Sequence, residues 1–139
     1  LRLIDLGVEP FLVTSSLLAV CSQRLVRRIC DNCRELREAP SAERLAYERA
    51  IGEARERFEY GAGCARCAQT GYRGRVAVFE LLVMNDVVRR MVLQEANTDE
   101  IQEAARESGM RSMLKDGMLK VQQNVTTPTE VLKNVFALH

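Results

Sequence analysis

With 139 residues, of which 47% are apolar and 28% charged, the chain can build one principal core with a satellite, and this composition excludes intrinsic disorder. The 20 Lys and Arg against 19 Asp and Glu leave a net charge of +1, which excludes a global field for nucleic acid or anionic membrane, so any anion site must be local. The longest strongly apolar run, Val76 to Val83, is too short to span a bilayer and no signal-peptide pattern opens the chain, so a cytosolic protein is expected.

The sequence begins at Leu1, without a methionine and inside what reads as a helix, which suggests a piece of something longer. Leu3, Ile4 and Leu6 form a short apolar stretch that Gly7 can end, since glycine tolerates the left-handed conformation of a helix C-terminus. Pro10 restarts the chain. From Phe11 to Ile29 the apolar positions Val13, Leu17, Leu18, Cys21, Leu25 and Ile29 follow near-helical spacing, with Arg24, Arg27 and Arg28 on another face, and predict one helix that delivers the chain to Cys30. Cys21 then reads as a small hydrophobe buried beside Leu17, Leu18 and Leu25.

Cys30-Asp31-Asn32-Cys33 and Cys64-Ala65-Arg66-Cys67 are two Cys-x-x-Cys pairs. Each such turn presents two thiolates from one tight knuckle, and two knuckles complete the tetrahedral sulfur ligation that zinc prefers, with no position left open for water or substrate. The expected site is therefore a structural clamp; an iron–sulfur cluster would use the same ligands, and the motif does not name the metal. Between the pairs, Pro40 and Ser41 read as a helix start, and Tyr47, Ile51, Ala54 and Phe58 mark an amphipathic helix folded out over the metal lobe. Gly61, Gly63, Gly71 and Gly74 turn the chain repeatedly around Cys64 and Cys67.

Gly71-Tyr72-Arg73-Gly74-Arg75 can be read in two ways. Glycines allow close backbone approach and arginines offer forked donors to phosphate; equally, the segment is a turn that feeds the following strand with its arginines in solvent. Arg75 to Val83 predicts a strand buried on both faces, whose partner strands would lie outside this sequence or in another subunit. Four short helices follow. Asp86 can cap the first; Thr98 with Asp99 and Glu100 opens the second, which Gly109 ends; Ser112 can cap the third, with Leu114, Met118 and Val121 on one face. Thr127-Pro128-Thr129-Glu130 forms a capping box for the fourth, which should bury Val131, Leu132, Val135 and Phe136. The fold class expected from these elements is mainly α with a small β component.

His139 is the only histidine, at the terminus and expected in solvent, so no serine–histidine or cysteine–histidine pair can be built. A Walker A loop is absent from all 139 positions. Arg24, Arg27, Arg28, Arg34 and Arg37 gather around the first knuckle and keep a stand-alone zinc-ribbon module for protein or nucleic acid in view, although no aromatics are interleaved there. A Cys-x-x-Cys redox protein would need a thioredoxin-like context that is not recognisable.

Taken together, Leu6 to Val13, Ser15-Ser16-Leu17, Gln23 to Arg27, both cysteine pairs, Gly71 to Arg75, Gly109-Met110, Asp116 to Val121 and Thr126 to Leu132 resemble the C-terminal part of the type II secretion and type IV pilus assembly ATPases, with the general secretion pathway protein E branch nearest. Ser22 stands where the family commonly has alanine, and Asn124 where it commonly has glycine. The resemblance implies the C-terminal helical part of a RecA-like α/β ATPase with an inserted tetracysteine zinc lobe. Residues 1–29 would be the helical tail of the ATPase core, 30–70 the zinc lobe, 71–84 a turn and buried strand returning to the core, and 85–139 a helical subdomain. It also implies a cytoplasmic hexamer that uses Mg-ATP, sits peripherally at the inner membrane through platform proteins with no direct membrane insertion, binds no nucleic acid, and drives pseudopilus or pilus assembly. Cys30, Cys33, Cys64 and Cys67 would hold structural Zn2+, and Arg75 with Arg73 would lie near the nucleotide. The phosphate-binding parts would precede Leu1, leaving this piece inactive alone.

Overall fold

The computed structural model describes residues 1–136 and comprises, among them, seven α-helices and four strands in two small sheets, mainly α with a small β component. The expectation for His139 lies outside the described residues. The chain divides into two compact units, one of Leu1–Ser22 with Glu80–Ser112, the other of Gln23–Phe79 with the segment that starts at Met113.

In the first unit, α1 (Arg2–Asp5) stops before Gly7, whose φ is +90°, and α2 (Pro10–Ser16) starts with proline at its first turn, where a missing N–H costs nothing. The predicted helix over Phe11 to Ile29 holds only as far as Ser16: Leu17 turns extended (ψ 132°), and Ala19–Ile29 is a strand, β1. Its partner is β4 (Tyr72–Val83), so the strand expected to look elsewhere for a neighbour finds one in this chain. Met84 donates to the Leu18 carbonyl and Cys30 to that of Gly71, so the two strands run in opposite directions. Long-range pairing decides the outcome over the local spacing. Nor is β4 buried on both faces: Val78 is fully buried while Phe79, Leu81 and Val83 are exposed, an alternating pattern. Cys21 is exposed on β1, because a strand turns it away from the positions a helix would have put beside it, and Leu18 and Leu25 are themselves exposed.

Helices α4 (Asp86–Leu93) and α5 (Thr98–Glu107) close a core of Val13, Met84, Val88, Val92, Ile101 and Ala105. Their caps lie one residue earlier than Asp86 and Thr98. Asn85 accepts from Val88 N–H, and Asn97 forms a full capping box with Glu100.

The second unit holds the hairpin of β2 (Arg34–Glu38) and β3 (Arg57–Gly61), antiparallel with Arg34 opposite Gly61 and Leu36 opposite Glu59. Between them, α3 (Ser41–Ile51) ends at Gly52, whose φ of +86° fits glycine, so Phe58 is on β3 and not on the helix as expected. Tyr47 and Phe58 are buried edge to face, ring centroids 4.9 Å apart, and share a core with Met118 and Val121 of α6 (Met113–Gln122) and Val131 of α7 (Pro128–Val135). A Cβ on Gly117 would stand 2.5 Å from Val131 Cγ1, so glycine is what lets α6 and α7 pack this closely. Buried Asp116 accepts the Phe79 N–H at 2.9 Å and Lys120 at 2.6 Å, satisfying a β4 backbone donor and pairing the carboxylate in one place. Asn124 adopts φ +57°, a left-handed conformation that asparagine tolerates better than most residues.

Half of the expected capping box at α7 is present. Thr127 Oγ1 accepts the Glu130 N–H, but the Glu130 carboxylate has turned away to Arg27, and Phe136 is exposed where burial was expected. Among the described residues no helix is long and apolar enough to cross a membrane.

Candidate metal centre

The second unit brings the two cysteine pairs together at the ends of β1 and of the β2–β3 hairpin. Ile29 is pinned by donating to the Val125 carbonyl, and the chain then turns through Cys30 to Cys33, where Cys33 N–H donates to Cys30 C=O at 3.3 Å. The hairpin carries the chain back, and Ala62 donates to Cys33 C=O at 2.8 Å, locking the exit of β3 onto the first knuckle. Cys64 leads into a single 3-10 turn, Ala65–Cys67, followed by Ala68 and Gln69 with φ of 52° and 63°. Two successive left-handed residues reverse the chain at once, and Gln69 closes the turn by donating to Cys64 C=O at 2.9 Å.

The four sulfurs lie within 4.8 Å of one another. Cys30 and Cys64 are 3.9 Å apart, Cys33 and Cys67 3.8 Å, and Cys64 and Cys67 3.7 Å, and all five cysteines are free thiols. A tetrahedron with metal–sulfur bonds of about 2.3 Å has edges of about 3.8 Å, so these spacings fit a tetrathiolate metal. Cys30 and Cys67 are buried and the other two half-buried, which shields the centre without closing it off.

Hydrogen-bond donors converge on the sulfurs. Gly63 N–H donates to Cys33, Cys64 N–H and Gly71 N–H donate to Cys67 at 3.2 Å each, and the Asn32 side-chain amide donates to Cys64 at 3.3 Å. Such donors favour the charged form. Burial works to raise the Cys67 thiol, yet the backbone donors of Cys64 and Gly71 and the neighbouring thiols outweigh it and bring it to about 6. The Asn32 amide lowers Cys64. Desolvation instead pushes Cys33 up to about 12. Donors already aimed at the sulfurs stabilise the thiolate form that a bound metal requires.

Arg73 and Arg75, predicted beside the nucleotide, are not part of this cluster. They are exposed at the start of β4, and neither side chain makes a hydrogen bond or ion pair among the described residues. Arg75 lines a hollow of about 270 Å³ with Leu25, Arg27, Glu130, Lys133 and Asn134. Of the arginines grouped around the first knuckle, three are engaged by carboxylates: Arg27 with Glu130, Arg34 with Asp31 and, at 2.7 Å, with Glu59, and Arg37 with Glu35.

Two features were not foreseen. One is the donor set of Asn32, Gly63 and Gly71, for which the only signal in the sequence is a polar residue inside one knuckle and glycines flanking the other. The second is a clamp on Arg27, whose guanidinium lies 4.2 Å from the Tyr72 ring centroid while its backbone N–H and side chain both donate to Glu130. Tyr72 hydroxyl meets Thr127 Oγ1 at 2.8 Å, and Thr126 donates to the Arg27 carbonyl at 2.7 Å. Burial opposes the charge on Glu130, but the two Arg27 bonds hold its carboxyl below the ordinary value.

Comparison with known proteins places these features in context. The family described as Type II/IV secretion system protein matches residues 1–133. The chain is 42% identical over 133 residues to the Type IV pilus assembly ATPase PilB of Thermus thermophilus, covering 94% of this chain and 15% of that protein. It is 43% identical over 132 residues to the Type II secretion system protein HxcR of Pseudomonas aeruginosa, covering 95% and 24%. Against the Type II secretion system ATPase E of Vibrio cholerae the identity is 37% over 132 residues, covering 95% and 26%. The chain thus spans about a quarter or less of the length of these relatives.

Proposed function

The chain belongs to the type II/IV secretion system protein family, and on that premise we propose that it is the C-terminal portion of a hexameric cytoplasmic ATPase that powers pseudopilus or pilus assembly. The observation that carries this reading is the match along 94% of the chain to a pilus assembly ATPase, joined by a secretion ATPase at 95%. In this reading the RecA-like nucleotide-binding core precedes Leu1, and the parent sits at the inner membrane through platform proteins and neighbouring subunits.

Cys30, Cys33, Cys64 and Cys67 hold Zn2+ in a structural role. Four thiolates would leave a bound ion no open position, so it would cross-link the two knuckles and supply no chemistry of its own. The surrounding residues do the rest: Gly63, Cys64 and Gly71 orient the sulfurs through their N–H groups, and Asn32 does so from its side chain. Arg75, and with it Arg73, serves the nucleotide of the parent. Their freedom from partners among the described residues is consistent with a ligand that comes from outside this chain. Engagement of Arg27, Arg34 and Arg37 by carboxylates supports this reading over a nucleic-acid module, because it leaves fewer open guanidinium groups around the first knuckle.

Alone, the chain has no phosphate-binding loop and is expected neither to hydrolyse ATP nor to bind it tightly. Calorimetry of the zinc-loaded chain with Mg-ATP should give no tight isotherm. A stoichiometric micromolar site would contradict a portion that depends on the rest of its parent.

A further inference from the structure

Gly71 stands at a junction. Its N–H donates to Cys67 Sγ on the second knuckle at 3.2 Å, and its carbonyl accepts the N–H of Cys30 on the first at 3.0 Å. It is also the first residue of Gly71 to Arg75. Its φ of +76° is the left-handed conformation that favours glycine, and its backbone lies so close to Gly61 that a Cβ on Gly61 would fall 1.9 Å from the Gly71 oxygen. There is no slack at this point.

The next link is Thr70. Its hydroxyl donates to Cys67 C=O at 2.6 Å and accepts the Tyr72 N–H at 3.2 Å, bridging the knuckle to the first residue of β4. Tyr72 is held in turn by the Arg27 guanidinium over its ring and by Thr127 at its hydroxyl. Arg73 and Arg75 follow with only Gly74 between them, at φ +81°.

We propose that Thr70 and Gly71 make the metal centre a positioning device for the arginine segment, so that metal held by the four cysteines sets the backbone from which Arg73 and Arg75 are presented. The value of this for ATP turnover rests on the nucleotide reading given above; the coupling itself does not. Coupling of this kind is reciprocal, so disturbing the segment must loosen the metal. Thr70 is the place to disturb it, because it is exposed and Thr70→Val keeps the shape while removing the hydroxyl.

The test uses the whole zinc-loaded chain, with zinc release followed by an excess of a chromophoric chelator and the Arg73 and Arg75 amides followed by NMR. Thr70→Val should release zinc about tenfold faster, the scale of one net hydrogen bond, and shift both amides. Thr70→Ser, which keeps the hydroxyl, should behave as wild type. Tyr47→Phe, which alters a hydrogen bond to Glu53 in the same unit away from this path, should leave release unchanged. Unchanged release and unmoved amides in Thr70→Val overturn the proposal, as does equal acceleration by Tyr47→Phe. The nucleotide reading fails separately, if Arg75→Ala leaves ATP turnover in the full-length parent at the wild-type rate.

Discussion

Cys64→Ser is expected to unfold the second unit while the first keeps its protection. A serine hydroxyl is not a thiolate ligand, so the centre falls to three sulfurs, and the Asn32 amide loses the sulfur it donates to. For small metal lobes the free energy of metal binding is free energy of folding, of the same order as the whole stability of a domain. The effect should not stop at the knuckles. The β2–β3 hairpin contributes Phe58 to the core that α3 fills with Tyr47, α6 with Met118 and Val121, and α7 with Val131, so these helices lose their packing when the hairpin opens. The first unit draws its core from Val13, Val88, Val92 and Ile101, and none of these belongs to that cluster. Amide exchange should therefore show lost protection over β2, β3, α3, α6 and α7, with α4 and α5 still protected. Wild-type protection of the hairpin in the variant would mean that the cysteines are not what holds it.

Arg75→Ala in the full-length parent should lower ATP turnover while leaving folding and zinc content close to wild type. Arg75 is exposed and its side chain makes no hydrogen bond or ion pair among the described residues, so its loss removes little from the folded chain. The size of the kinetic loss depends on what the side chain does. An arginine that stabilises a transferring phosphoryl group is worth on the order of a thousandfold or more, and one that only positions a partner is worth far less. Arg75→Lys should rescue incompletely, because a point charge cannot reproduce a planar fork of donors. Hydrolysis at the wild-type rate by an assembled Arg75→Ala parent would leave Gly71 to Arg75 as only a turn.

The cysteine cluster was legible because its signal is covalent spacing, which survives any uncertainty about the intervening fold. The closing helices were legible because local chemistry writes their ends: acidic and hydroxyl residues at 86 and 98, proline at 128, glycine at 109. Even so, the caps read from Asp86 and Thr98 were each one residue late, since the adjacent asparagines make the cap hydrogen bonds. Strand β1 was illegible for the opposite reason. Apolar residues at 13, 17, 18, 21, 25 and 29 satisfy a helical period, and what overrules it is a partner strand some fifty residues further along, which no local window contains. Cys21 is exposed for the same reason, since on a strand the helical spacing that groups it with Leu17, Leu18 and Leu25 no longer holds. The α7 capping box failed in half because Glu130 finds a better partner in Arg27, 103 residues away. The donors around the sulfurs were hidden because backbone N–H groups carry no sequence signature of their own.

The most direct measurement is elemental analysis of the chain purified without added metal. One zinc per chain, with no visible chromophore and no disulfide between Cys30 and Cys33, is the result expected of a closed tetrathiolate centre. Substantial iron with a coloured cluster, or a metal-free chain that keeps the β2–β3 hairpin protected, would contradict it.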